Sequence, residues 1–481
     1  MNIRESFRQD RLPFFASFAF GLLAYGFCMT NKIPVGDDLV GMFDKGATTV
    51  SGRYGLELLR FIMPDVSMPW IYGLMSIALL SLAVCVTVRL FSIKSPALQI
   101  LLAGVFVTFP AQAGTMLYMF TAAPYALALL FAVTGVWLFA ERKKGCWIAA
   151  PVLLAFSCSI YQGYFSIAAS FCVIRMIVLL CRTETSWREV FREGVKMLAM
   201  LLVASKLLGF PLLHEVINDR QSFPLRLLVA YSSWVKTLLS GRFGYVNNRI
   251  SRVMHLVLLL AAAFAMLTQL KKKGETGSAL LTGLCLILYP LSCYCLYLLA
   301  DNSYIHSLSL YSFASLYVLC AALLDGWEAK PAPNLRRLCS FALALILCGN
   351  LYYANALYLR YYLRFEELKS FYTVMLTRVF ETPGYSERDR LAIVGDAPEL
   401  VYDIDRHFTG SPLSLPSLEL GSTDYAELIV SRYLGCDILF VPDGELAQLE
   451  TDDMPVYPYD GSVKKIGDVI VVKFSPKESD Q

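Results

Sequence analysis

The sequence predicts an all-α polytopic membrane protein, with about eleven transmembrane helices and a small C-terminal extracytoplasmic α/β domain. Three observations carry that expectation. The chain of 481 residues is 56% hydrophobic and only 17% charged, whereas a soluble chain runs near about half apolar and about a quarter charged. Apolar runs of about 20 residues, the length that crosses a bilayer as a helix, recur through most of the chain. Lysine and arginine concentrate in every second connection between those runs.

In order, the runs lie near 12–30, 69–91, 96–113, 116–140, 146–161, 163–181, 195–213, 253–270, 278–299, 306–325 and 337–358. The first follows a basic segment (Arg4, Arg8, Arg11), as a signal peptide would. No small-x-small cleavage site closes it and many spans follow, so it reads as an uncleaved helix. The fifth and sixth runs are parted only by the polar step Tyr161-Gln162-Gly163. Basic residues follow the second run (Arg89, Lys94), the fourth (Arg142, Lys143, Lys144), the sixth (Arg182, Arg188, Arg192, Lys196), the eighth (Lys271, Lys272, Lys273) and the tenth (Lys330, Arg336, Arg337). The short connections 111–116, 161–163 and 300–305 hold no Lys or Arg. By the positive-inside rule the N-terminus is cytoplasmic. The long loops 31–68 and 214–252 then face outward, as does everything after about 359, and all four histidines (His214, His255, His306, His407) lie on that side.

The division expected is a transmembrane domain over 1–358 and an extracytoplasmic α/β domain over 359–481. Residues 360–381 are amphipathic and charged, which suits a helix. Leu391–Val394, Ile438–Val441 and Val469–Phe474 are short apolar runs that read as strands. Gly395-Asp396 and Pro442-Asp443-Gly444 end the first two. Of thirteen cysteines only Cys436 lies in a soluble segment. The others sit in or beside apolar runs and read as small core residues rather than a disulfide framework. A net charge of +3 gives no reason to expect a nucleic-acid partner. The chain shows no internal repeat, phosphate-binding glycine loop, zinc spacing or Ser-His-Asp signature.

The first outer loop holds the densest chemistry. It reads Asn31-Lys32-Ile33-Pro34-Val35-Gly36-Asp37-Asp38-Leu39, then Gly52-Arg53-Tyr54. The stretch from about Tyr54 to Met63 suits a short amphipathic helix at the interface. A carboxylate at the bilayer edge is placed where low dielectric raises its pKa, which makes a better general base. Gly-Asp-Asp is equally a good solvated turn.

An Asn-x-x-Pro-x-x-Asp-Asp segment after the first helix, then a Gly-Arg pair, resembles the serotype-converting O-antigen glucosyltransferase family of phages and bacteria (type II glucosyl transferase). That family falls within the C-type polytopic glycosyltransferases. The resemblance extends to the helix count, a GT-C-like architecture, and to the outer domain opening with Ile393-Val394-Gly395-Asp396. It implies a bacterial cytoplasmic (inner) membrane protein and transfers the catalytic acid of the first outer loop to Asp38 or Asp37. It also implies transfer of a hexose, glucose by family, from polyprenyl phosphate to a surface glycan such as O-antigen. Nucleotide sugars are made in the cytoplasm, so an outward-facing transferase needs a lipid-linked donor that has already crossed. An aspartate takes the acceptor proton, the hydroxyl attacks the anomeric carbon, and the lipid phosphate leaves from the opposite face with inversion. The leaving charge needs cations or a metal; no cofactor is assigned, and a divalent cation is one possibility.

Candidate cations for the donor phosphate are Lys206, Arg53, Arg60 and Arg242. Lys206 lies inside an apolar run, where charge marks function, although a snorkelling lysine fits too. The arginines fit lipid headgroups equally well. Candidates for the sugar and acceptor are Tyr54, Trp234, His255 and His306, with a hydrogen-bonded structural role the commoner one for histidine. Asp403-Ile404-Asp405 forms an Asp-x-Asp string that follows no convincing strand, so chance accounts for it. Two competing functions remain at this level: a transporter or flippase of lipid-linked glycans, and a non-catalytic envelope assembly protein.

Overall fold

The computed structural model describes residues 3–34, 38–39, 52–63, 66–207, 222–240, 249–299, 307–327, 332–395, 423–446 and 448–475. These divide into two compact units. The first holds those through Lys32 and from Gly52 to Leu357; the second holds Ile33, Pro34, Asp38, Leu39 and those from Tyr358 onward.

The first unit is helical. Its elements are α1 (Ile3–Thr30), α2 (Tyr54–Leu59), α3 (Pro69–Phe91), α4 (Pro96–Val107), α5 (Pro110–Thr115), α6 (Met119–Glu141), α7 (Cys146–Ile160) and α8 (Phe165–Cys181). They continue with α9 (Trp187–Leu207), α10 (Phe223–Ser240), α11 (Arg249–Lys273), α12 (Thr276–Cys293), α13 (Cys295–Leu299), α14 (Ser315–Asp325) and the first half of α15 (Ala332–Glu381). Among the described residues seven helices are long and apolar enough to cross a membrane. Pro96–Val107, Cys146–Ile160 and Leu310–Asp325 are shorter apolar helices. The described part of the run expected over 195–213, through Leu207, falls in α9, whose buried residues Val190, Glu193, Met197, Met200 and Ala204 recur every three or four positions, the stripe of a one-faced helix. The expected loop 214–252 contains α10, which sequence composition did not reveal.

Burial ranks the helices. The window Gln162–Cys181 around α8 is 83% buried, against 39% for α1 and 33% for α11, so α8 is central and the other two are peripheral. In an apolar surrounding, polar side chains serve as interhelical glue. Tyr25 Oη donates to the Val107 carbonyl at 2.5 Å, Ser157 Oγ to Ala128 at 2.6 Å and Ser312 Oγ to Cys293 at 2.8 Å. The basic connections are tied down by ion pairs and caps at one end of the bundle. Arg89 forks onto the Asp10 carboxylate, its Nε at 2.8 Å from Oδ1. The Asp325 carboxylate accepts from the amides of Lys94 (2.6 Å) and Ser95 (2.9 Å), negative charge where the α4 dipole is positive. Arg336 Nε caps the Leu324 carbonyl at 2.9 Å. All thirteen cysteines are free, and those in the helices are mostly buried.

The second unit packs a helix on a small mixed sheet. Its strands are β1 (Arg390–Val394), β2 (Val463–Ile466) and β3 (Val469–Lys473), in the order β1-β3-β2, with β1 parallel and β2 antiparallel to β3. Strand alternation sorts the side chains onto two faces. Leu391, Ile393, Ile470 and Val472 pack with Phe365, Leu368, Tyr372, Met375 and Val379 of α15. Ala392, Val394, Val469 and Val471 pack on the other side with Val441 and Met454. The expected strand Ile438–Val441 is reduced to a single parallel bridge, Leu391 to Phe440. The strand β2 was not expected. It joins β3 through the two-residue loop Gly467-Asp468, with Gly467 at φ 64°, a turn that favours glycine in a tight hairpin.

Asp389, just before β1, accepts from Lys465 Nζ at 2.7 and 2.9 Å and from the Ser386 amide at 2.7 Å. The Lys465 ammonium, then the Ser386 amide, hold its carboxyl below the ordinary carboxylate value. A depressed folded-state pKa stabilises the fold above the unfolded value and ceases to as the pH falls through the folded one. Between about pH 5 and 2 the native protein should therefore lose thermal stability more steeply than Asp389→Asn. Superimposable slopes in melts followed by circular dichroism would remove this ion pair from the acid response.

Candidate functional site

At the end of the first unit away from the basic connections, several segments converge. Gly52-Arg53 leads into α2, whose Gly55, Leu56 and Leu59 are buried while Tyr54 and Leu58 are exposed. That amphipathic turn docks on the end of α7. A Cβ on Gly55 would collide with Ser159 Oγ and lie 3.0 Å from the Ser159 carbonyl carbon, so only glycine permits the approach. Gly55→Ala should displace α2, at a cost of about 1–3 kcal/mol for the overpacking, and with it Arg53. A variant with unchanged rate and melting temperature would refute that docking.

Docking sets Arg53 against aromatic rings. Its Nη1 donates to Tyr125 Oη at 2.8 Å. Its guanidinium lies 5.8 Å from the Tyr125 ring centroid and 5.7 Å from that of Tyr161, within cation–π range. Those two rings stack, 4.3 Å apart and 24° from parallel. Tyr164 meets Tyr161 edge-on at 5.1 Å and Tyr311 at 6.0 Å. Tyr311 belongs to the 3₁₀ segment Ser307–Ala314, against which α5 and the 3₁₀ turn Gln162–Tyr164 both pack. Two side chains here lack hydrogen-bond partners among the described residues: both amide atoms of Gln112, on α5, and Tyr164 Oη, all fully buried. A buried polar atom left unpaired costs about 1–3 kcal/mol, and such groups are rare enough in native proteins to mark a strained or functional place.

The sequence candidates separate when placed. Asp38 belongs to the second unit and has no accessible surface; it is not a solvated turn residue. Its neighbour Leu39 packs with Phe365, Leu368 and Tyr372. Arg53 sits in the aromatic cluster described above. Arg60 Nη1 pairs with Glu57 Oε1 at 2.6 Å. Lys206 is exposed in the last turn of α9, off its buried stripe. Tyr54 is exposed, and Trp234 meets Tyr289 edge-on at 6.3 Å. His255 is buried in α11 with both ring nitrogens engaged. Nδ1 lies 2.7 Å from the Ser251 carbonyl, which can only accept, so Nε2 accepts from Tyr317 Oη at 2.7 Å. Asp37, Arg242, His306 and the Asp403–Asp405 string lie outside the described residues. Among the described residues no three His, Cys, Asp or Glu group as metal ligands do.

Sequence reasoning missed Gln112, Tyr125, Tyr161, Tyr164 and Tyr311. A signal existed: the connections 111–116 and 161–163 lack Lys and Arg yet each carries a glutamine.

Long apolar helices with a cation–aromatic cluster at one end define a multi-pass membrane protein with a polar site inside its helical unit. The chain belongs to the glucosyl transferase GtrII family, whose model matches residues 26–324. It is therefore a membrane glycosyltransferase, and neither a flippase nor a non-catalytic assembly protein accounts for that membership. The match includes Asp38, Arg53 and the tyrosine cluster and stops short of Tyr358, where the second unit's long stretch begins. No curated relative and no solved structure matches the chain.

Proposed function

We propose that this glycosyltransferase moves glucose from polyprenyl phosphate to a surface glycan such as O-antigen, with inversion, on the extracytoplasmic face of a bacterial inner membrane. The observation that carries the reading is the placement of the Arg53–tyrosine cluster at the end of the bundle opposite the Lys/Arg-rich connections. By the positive-inside rule that end is outside the cell membrane, where nucleotide sugars are scarce and a lipid-linked donor is the available one. The same rule supports a cytoplasmic N-terminus, an extracytoplasmic domain over 359–481, and about eleven crossings once the shorter apolar helices and α9 are counted.

In the reaction, Asp38 takes the proton of the acceptor hydroxyl. The oxygen bonds to the anomeric carbon, the opposite carbon–oxygen bond breaks, and the phosphate departs with the electron pair. Arg53 offers that phosphate a planar cation, and the neighbouring tyrosine rings offer faces for a sugar. Asp38 is enclosed in this structure, so the acceptor must open its surroundings to reach it.

Purified protein should be inactive with a nucleotide sugar alone and active with a polyprenyl-phosphate hexose. Turnover of the nucleotide sugar without any lipid intermediate would sink the donor assignment.

A further inference from the structure

At the far end of α6 and α8 from the tyrosine cluster, a cavity of about 750 Å³ opens among α6, α7, α8 and α9. Its base is the buried carboxylate of Glu193, which pairs with Arg142 and, at 3.1 Å, with Arg175 Nε. Glu189 and three further cations line it: Lys143, which pairs with Glu141 at 2.9 Å, and Arg192 and Lys196, one helical turn apart on α9. Arg192 and Lys196 are exposed, and among the described residues neither has an ion pair or hydrogen bond. Trp147, 68% exposed, stands beside them with Leu179 as an apolar wall.

A topological excess of Lys and Arg explains scattered surface cations. It does not explain a concave site in which one carboxylate fixes two arginines while two other cations stay uncommitted beside an exposed indole. That combination has the chemistry of a phosphate-bearing amphiphile. A free anion would use the cations and leave the apolar wall in water. A zwitterionic headgroup would bring its own ammonium against Arg192 and Lys196. Basic pockets between membrane helices hold anionic headgroups in this way. We infer that this cavity binds the headgroup of an anionic phospholipid, with Arg192 and Lys196 on the phosphate and Trp147 along the acyl chain. The site is distinct from the glucosyl-transfer site and does not depend on the donor or acceptor proposed above.

The test uses the delipidated full-length protein in detergent, titrated with phosphatidylglycerol, with phosphatidylcholine and with inorganic phosphate. Phosphatidylglycerol should bind in preference to phosphatidylcholine. The double variant Arg192→Gln/Lys196→Gln should weaken that binding about thirtyfold, which is about 2 kcal/mol at about 1 kcal/mol per basic side chain. Arg188→Gln, on the same helix but outside the cavity lining, should leave it unchanged. If melting shows the double variant misfolded, Lys196→Gln alone is read, with about fivefold weaker binding expected. Equal binding of the two lipids, wild-type affinity in the cavity variants, or full displacement by inorganic phosphate would each overturn the inference.

Discussion

Asp38→Asn is expected to lower turnover by about a hundred- to ten-thousandfold, the usual worth of a general base. Asparagine keeps the size of aspartate and most of its hydrogen bonding but does not accept the acceptor's proton. Asp38 has no accessible surface, so the substitution also tests packing. A melting curve near that of the native protein, with donor binding retained, assigns the loss to chemistry. Asp37→Asn should lose less. The reverse order would move the base to Asp37 and leave the mechanism standing. Near-normal rates in both variants, folded and inserted, would end the catalytic reading of this loop.

Arg53→Gln should cost about a hundred- to a thousandfold in kcat, the scale for removing one donor from a developing negative charge. The loss belongs in kcat because the phosphate acquires its extra charge as the glycosidic bond breaks. Arg53→Lys should recover only part of it: the ammonium keeps the charge but loses the planar fork that reaches Tyr125 Oη and lies against two rings. Tyr125→Phe, which removes one hydrogen bond and keeps the stack, should cost less than about tenfold. An Arg53→Gln enzyme with native kcat and a raised KM would instead make Arg53 a ground-state binding residue.

The membrane character of the chain was legible because it is written in local composition. Among the described residues seven of the apolar runs answer to helices long enough to cross a membrane, and the basic connections cluster where the ion pairs and caps of Arg89, Asp325 and Arg336 lie. The helix α10 escaped because its apolar residues form one face rather than a continuous run. The strand β2 escaped because Lys464 and Lys465 mask its alternation, although Gly467-Asp468 between Ile466 and Val469 is a hairpin signal. In the site, Arg53 stood out as a charged residue in an outer loop. Its partners did not. Tyr125, the Tyr161–Tyr164 turn and Tyr311 come from three separate segments, in a chain with 27 tyrosines, and only tertiary packing selects these few. His255 shows the converse: the sequence offered it as a sugar or acceptor ligand beside the commoner structural role, and packing gave it two hydrogen bonds in the helix core.

The unpaired amide of Gln112 has an evolutionary corollary. An enclosed side chain with neither donor nor acceptor satisfied among the described residues works against folding, by about 1–3 kcal/mol. Leucine or methionine there would relieve that burden with similar volume. Drift toward greater robustness, left to itself, would therefore erase this glutamine. Its persistence in any lineage would be a record of selection for what the protein does rather than for how firmly it holds together.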